Sequence, residues 1–325
     1  MDKTKNSVLK SLWSRFNYVI IFLAIFIVYL IINGSATTWT GVMNILYHSA
    51  VLGTIAIGMG LIILTGDFDL SVGSTFVLAG GFAVWTFNAT NSILLTLIVG
   101  VILGGILGAF NGLMIGRLKM PSFIVTLATM LIYRSVSQFI MNNAGETRYQ
   151  IDATLGSYPT LFGIGNGNII TIPFIGIIFL VIALLAVYIT TSTKFGKQLY
   201  AIGSNSKAAA LAGINVEWKK VLVYAICGLL VGVSCFLKIC KDMSFDPASS
   251  GKSYEMYAIA SVVIGGLSMS GGRGKMAGII FGTLSFTVID KIITAMGLNA
   301  LLNDAVKGAI LLIAIALQTI KKRSK

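Results

Sequence analysis

One short break between apolar runs, Leu64–Ser74, carries Asp67, Asp69, Ser71 and Ser74 together with Gly66 and Gly73. Carboxylates and hydroxyls placed this close to a helix start can do two things. Asp69 or Ser71 can cap the following helix, where an acidic group satisfies unpaired N–H groups and suits the positive helix end. Alternatively the segment is a broken helix lining a polar pathway, because irregular backbone at membrane depth needs protein or water to cover it. A second irregular stretch, Gly265–Gly274, holds five glycines in ten residues and reads as turn and packing material first, pathway second, with Gly265 and Gly266 as its candidates. Arg134 is the one clear charge inside an apolar span, a functional candidate that could also snorkel to the interface.

Other chemistry finds little footing. The single histidine, His48, excludes any site needing two His ligands and reads as a packed or interfacial residue. Cys227, Cys235 and Cys240 fall in one apolar stretch and read as small core residues. Asp246–Ser253 resembles the end of a P-loop, but it has Asp246 where that pattern requires Gly and lies in a loop between spans. There is no Gly-x-Ser-x-Gly and no usable Ser–His pair.

The elements that must position these residues follow from composition. Of 325 residues, 56% are hydrophobic and only 11% charged, too little polar material to cover a soluble core. A span needs about 20 apolar residues, so the chain has room for about ten. We expect an all-α, polytopic membrane protein of about ten transmembrane helices, some short or broken, forming one domain over residues 1–325. The spans read Tyr18–Ile32, Val51–Leu64, Val72–Phe87, Ile93–Ile115, Pro121–Met141, Ile172–Ile189, Val221–Leu237, Tyr257–Leu267, Met276–Ile289 and Ala305–Thr319. The eighth is too short to cross without its flanks.

With ten spans and a cytoplasmic N-terminus, seventeen basic residues fall inside and six outside: Arg148, Lys238, Lys241, Lys252, Lys291 and Lys307. This asymmetry orients both termini to the cytoplasm and accounts for the net charge of +13 without nucleic acid. The longest inside segment, about 194–220, holds cap chemistry at Gly203–Ser206, strong helix formers at Lys207–Ala212, including Ala208 and Ala209, and a stop at Gly213. A helix of barely two turns is marginal alone in water, so it must dock on its own protein or in a partner's groove; a mere linker is the other reading.

Four stretches in order, Leu64–Ser74 (LTGDFDLSVGS), Met120–Met130 (MPSFIVTLATM), Tyr200–Val216 (YAIGSNSKAAALAGINV) and Tyr254–Gly274 (YEMYAIASVVIGGLSMSGGRG), together resemble the membrane permease of bacterial ATP-binding-cassette importers, in the branch that carries ribose, other pentoses, galactose and related compounds. The resemblance extends over most of the chain. It implies a location in the bacterial cytoplasmic membrane and a second permease subunit, identical or paralogous. It also implies a cytoplasmic ATPase that binds the ATP, leaving this chain without a cofactor, and an extracytoplasmic substrate-binding protein. It assigns the region of Gly203, Asn205, Ala208, Ala209 and Gly213 to coupling with the ATPase, so a bulky charge at Ala209 is expected to uncouple transport. Two departures stand out: the family usually has a small residue at the position of Asp67, and often an acid at that of Tyr257. No particular sugar is carried across. The alternative is an ion-coupled secondary transporter of a small polar solute, for which Asp67, Asp69 and Asp290 would be the candidate relay groups.

Overall fold

The computed structural model describes residues 2–145 and 148–297, with 302, 304–310, 312 and 316 beyond them, and side chains from Phe16 onward. Twelve helices carry most of the chain among these residues: α1 Asp2–Asn33, kinked at Phe16; α2 Trp39–Leu64; α3 Val72–Thr90; α4 Ile93–Gly112, continued by a wide turn to Arg117; α5 Ser122–Asn143; α6 Tyr158–Asn166; α7 Phe174–Ser192; α8 Lys194–Ser204; α9 Ser206–Leu211; α10 Val216–Asp242; α11 Tyr254–Ile264; and α12 Ala277–Ala295, with a further helical stretch at 304–310. Two-residue strands pair outside the helices, β1 (Tyr149–Gln150) antiparallel with β4 (Ser244–Phe245) and β2 (Asn168–Ile169) with β3 (Ile172–Pro173). Eight of the helices are long and apolar enough to cross a membrane, and α11 is a shorter apolar helix. Of the expected tenth span, Ala305–Thr319, residues 305–310, 312 and 316 are described and helical, and the others lie outside the described residues.

The all-α polytopic reading therefore stands, with several boundaries moved. The second span begins at Trp39 rather than Val51 and reaches 26 residues, about 39 Å at 1.5 Å per residue. The polar Asn44, Tyr47 and His48 hide its first turns from a hydropathy reading. Two short helices, α6 and α8, were not expected, because neither has an apolar run of spanning length.

The core is built where α2, α3, α4 and α10 meet. Gly100, Gly104, Gly108, Gly112 and Gly116 form a row at every fourth residue of α4 and its extension, facing α10. A Cβ on Gly104 would stand 2.4 Å from the Gly228 carbonyl oxygen, so the two backbones touch, the small-residue packing that membrane helices favour. Cys227, Cys235 and Cys240 are buried and unbridged on α10, as expected of core residues. Outward faces of α4, α5 and α7 carry Ile106, Phe139 and Leu184 exposed, which suits a lipid surface rather than water.

Candidate functional site

The Leu64–Ser74 break lies against α10 and α4. Lys220 Nζ, near the start of α10, lies 2.7 Å from Asp67 Oδ2. One turn further along α10, the Tyr224 hydroxyl donates to the Phe68 carbonyl at 2.6 Å. Asp69 Oδ1 accepts from the backbone N–H of Ser71 at 2.8 Å and from its hydroxyl at 2.6 Å, and Asn111 of α4 donates to Ser71 Oγ at 2.8 Å. The Ser74 hydroxyl donates to the Ser71 carbonyl. Asp67 and Asp69 are both buried. Burial of charge in an apolar setting is costly unless it is paired or hydrogen-bonded, and these contacts supply that. Asp69 and Ser71 thus organise the turn into α3, while Asp67 ties the break to α10.

A second irregular segment meets the first. After α10 the chain pairs β4 with β1, then runs along α3, where Phe245 packs on Phe76 with ring centroids 5.1 Å apart. It ends where Gly73 and Gly251 touch: a Cβ on Gly73 would stand 2.2 Å from the Gly251 carbonyl oxygen. Glycine at position 73 is the condition for this approach. The segment is the Asp246–Ser253 stretch with the P-loop likeness, and here it forms a compact turn. Asp246 accepts from the Ala248 N–H at 2.9 Å and the Ser249 hydroxyl at 2.6 Å; chiefly the Ser249 bond holds its carboxyl below the usual carboxylate range. Arg134 of α5 donates from Nη1 to the carbonyls of Pro247, at 2.8 Å, and Ser250, at 3.1 Å. It satisfies backbone that no helix satisfies. From there α11 descends for 11 residues, about 16 Å, roughly half a bilayer core.

At the far end of α2, three elements converge. A Cβ on Gly203 of α8 would lie 1.9 Å from the Leu64 carbonyl oxygen and 2.4 Å from the Gly272 nitrogen. Gly272 N–H also donates to the Leu64 carbonyl at 3.0 Å, and the Tyr200 hydroxyl donates to the Gly274 carbonyl at 2.9 Å. Helix α8 is thereby joined to both the Leu64–Ser74 break and the glycine-rich turn, and α9 follows it directly in the chain. Gly265 packs against Gly278 of α12, and Gly266, with φ +85°, ends α11. Asn205 caps α9 by accepting from the Ala208 N–H at 3.0 Å, and Gly213 follows it with φ +83°.

Ala209 is 4% exposed and packs inward, whereas Leu211 is 91% exposed and Ser206, Lys207, Ala208 and Ala210 also face outward. A charge at Ala209 would therefore attack the seating of α9 on its own chain; the outward residues are the ones that test docking.

One feature has no counterpart in the motifs. At the other end of α2, sixteen residues and about 24 Å from Leu64, a cavity of about 310 Å³ opens between α2, α10, α11, α12 and the helical stretch 304–310. Lys238, Lys241, Lys291, Lys307 and His48 line it with Asp290, over the rings of Tyr254, Tyr257 and Phe286. The signal was present in the sequence: four of the six bases assigned outside are these lysines.

The structure thus gathers Asp67, Asp69, Ser71, Gly73 and Ser74 in one break, sets Gly203 against its first residue, Leu64, places Gly265 and Gly266 at the end of α11 against α12 and α1, and sets Arg134 on the Asp246–Ser253 turn. A family model described as the branched-chain amino acid transport system / permease component matches residues 41–315. The chain belongs to this permease family. Among curated relatives, the ribose import permease protein RbsC of Bacillus subtilis is 35% identical over 299 residues, covering 91% of this chain and 91% of the relative. RbsC of Escherichia coli K12 is 33% identical over 288 residues, covering 88% and 87%. The xylose transport system permease protein XylH of Haemophilus influenzae is 30% identical over 351 aligned positions, covering 90% and 92%. No solved structure matches the chain. The four stretches that carried the resemblance in the sequence all lie within the matched range, so the permease family and the broken, glycine-rich segments coincide.

Proposed function

We propose that this permease is the membrane subunit of an ATP-binding-cassette importer for a monosaccharide or related small polar solute. One arrangement supports the reading above all: α8 wedged at Gly203 against the end of α2, with α9 beside it presenting Leu211 outward. An ATPase seated on α9 would push on the break at Leu64–Ser74 and on the glycine-rich turn together. ATP binding can bias an alternating-access equilibrium only through contacts that differ between the two states, and this junction is the element those contacts would reach. The relatives named for ribose and xylose import support the solute class.

In this reading the end bearing α8 and α9 is cytoplasmic, both termini lie on that side of the bacterial cytoplasmic membrane, and the 310 Å³ cavity faces outward. The chain pairs with a second permease subunit, and a substrate-binding protein delivers solute from outside. Nothing observed favours the ion-coupled alternative: Asp67 is engaged by Lys220 and Asp69 by Ser71, rather than aligned as a relay.

The test is uptake of labelled D-ribose, D-xylose and D-gluconate into proteoliposomes holding the permease with a candidate ABC ATPase and a candidate sugar-binding protein. ATP-dependent uptake that survives an ionophore is expected. Uptake that an ionophore abolishes, with no ATPase present, would overturn the reading.

A further inference from the structure

The outer cavity carries more positive charge than its own carboxylates balance. Lys238 pairs with Asp242, and Lys307 Nζ lies 2.7 Å from Asp290 Oδ1. Lys241 and Lys291 have no carboxylate within 4 Å among the described residues. Lys241 Nζ is 3.1 Å from His48 Nδ1 and 4.3 Å from the centre of the Tyr47 ring. An ammonium has three donors, so this leaves Lys241 donor capacity, and the Lys291 ammonium has no hydrogen bond among the described residues. Like charges in a partly enclosed space repel and cost solvation, and ionisable groups within a membrane protein commonly mark a substrate path. A concave wall of one sign also concentrates ions of the other.

The rest of the lining suits a polyol. Tyr257 and Phe286 pack 5.2 Å apart, the Tyr257 hydroxyl is committed to Asp304, and Lys307 Nζ lies over both rings, 4.4 and 5.3 Å from their centres, so the ring edges and the Tyr254 ring are the apolar surface that remains for a sugar's C–H groups. The volume is at the small end of ligand sites. We propose that this cavity takes an anionic sugar derivative, a small polyol bearing one carboxylate or phosphate, with the charge held between Lys241 and Lys291. The proposal rests on the reading of the chain as a solute permease and narrows its substrate class.

The test is calorimetric titration of the full-length permease in nanodiscs with D-gluconate, ribose 5-phosphate, inorganic phosphate and neutral D-ribose. One or both sugar anions should bind roughly tenfold or more tighter than ribose, the scale of one charge-assisted hydrogen bond, and more tightly than inorganic phosphate. The gluconate and ribose 5-phosphate arms separate carboxylate from phosphate recognition. Lys241→Gln and Lys291→Gln should each weaken the anion about tenfold and leave ribose unchanged, and Lys→Arg at either position should restore it. If those variants fold poorly, raising NaCl on the unmodified protein should weaken anion binding and spare ribose. Equal or tighter binding of ribose, no binding of either sugar anion, or anion binding indifferent to salt and to both variants overturns the proposal. So does loss of binding-protein association in the Gln variants with anion titration unchanged, which would assign the lysines to a protein interface. ATP-driven uptake of neutral sugar without anion binding would overturn this inference alone. Anion binding without ATP-driven uptake would overturn the importer reading alone.

Discussion

Lys220 Nζ stands 2.7 Å from Asp67 Oδ2, which fastens the start of α10 to the break between α2 and α3. Both side chains are largely shielded, so removing one partner leaves the other poorly solvated. Asp67→Asn should lower the stability of the detergent-solubilised protein by about 1–3 kcal/mol, read by thermal unfolding. The swap Asp67→Lys with Lys220→Asp should recover part of that loss. A variant with unchanged melting but abolished uptake would instead place Asp67 in the solute path.

Arg134 is expected to hold the Asp246–Ser253 turn rather than to move solute. Arg134→Gln removes both donations, to Pro247 and Ser250, and leaves two carbonyls seeking partners. Faster proteolysis at residues 246–253 and a loss of about 1.5–3 kcal/mol should follow. Arg134→Lys should recover only part, because an ammonium lacks the planar fork. Normal proteolysis of Arg134→Gln would refute the clamp.

Gly203 and Gly163 offer a contrast between a close contact and open space. A Cβ at 203 meets the Leu64 carbonyl oxygen at 1.9 Å, while nothing lies within 4 Å of one at 163. Gly203→Ala must push α8 off the end of α2, so uptake should fall at least tenfold even where the protein still assembles. Gly163→Ala should leave uptake within twofold. Both are read in the same proteoliposomes, and equal activity would mean the α8 junction does not transmit motion.

How much of this was legible in the sequence depended on whether the signal was local. The long apolar runs announced α3, α4, α5, α7, α10 and α12, because a bilayer demands such runs. The cap at Asn205 and the stop at Gly213 were readable, since each acts within four residues of itself. The inward face of Ala209 was not, because a six-residue alanine-rich helix shows no periodic contrast. The role of Arg134 was hidden for another reason: its acceptors, Pro247 and Ser250, lie 113 and 116 residues away. The basic cavity needed four helices and the helical stretch 304–310 to assemble it. Lys238 and Lys241 are three apart on one face of α10, yet nothing local says that Lys291 and Lys307 face them.

The outward face of α9 separates docking from folding. Leu211 is 91% exposed on a helix whose other contacts seat it on its own chain, and an isolated leucine side chain in water is worth about 1.5–3 kcal/mol once buried. If the ATPase covers it, Leu211→Glu should remove that burial and add a charge to be desolvated. The variant should melt as the unmodified protein does, yet lose ATPase co-purification and uptake by about tenfold or more. Ala209→Glu, which forces a carboxylate into a buried site, should instead lower the melting temperature and assembly together. Retention of the ATPase by a stably folded Leu211→Glu protein would show that the coupling surface lies elsewhere on the 194–220 segment.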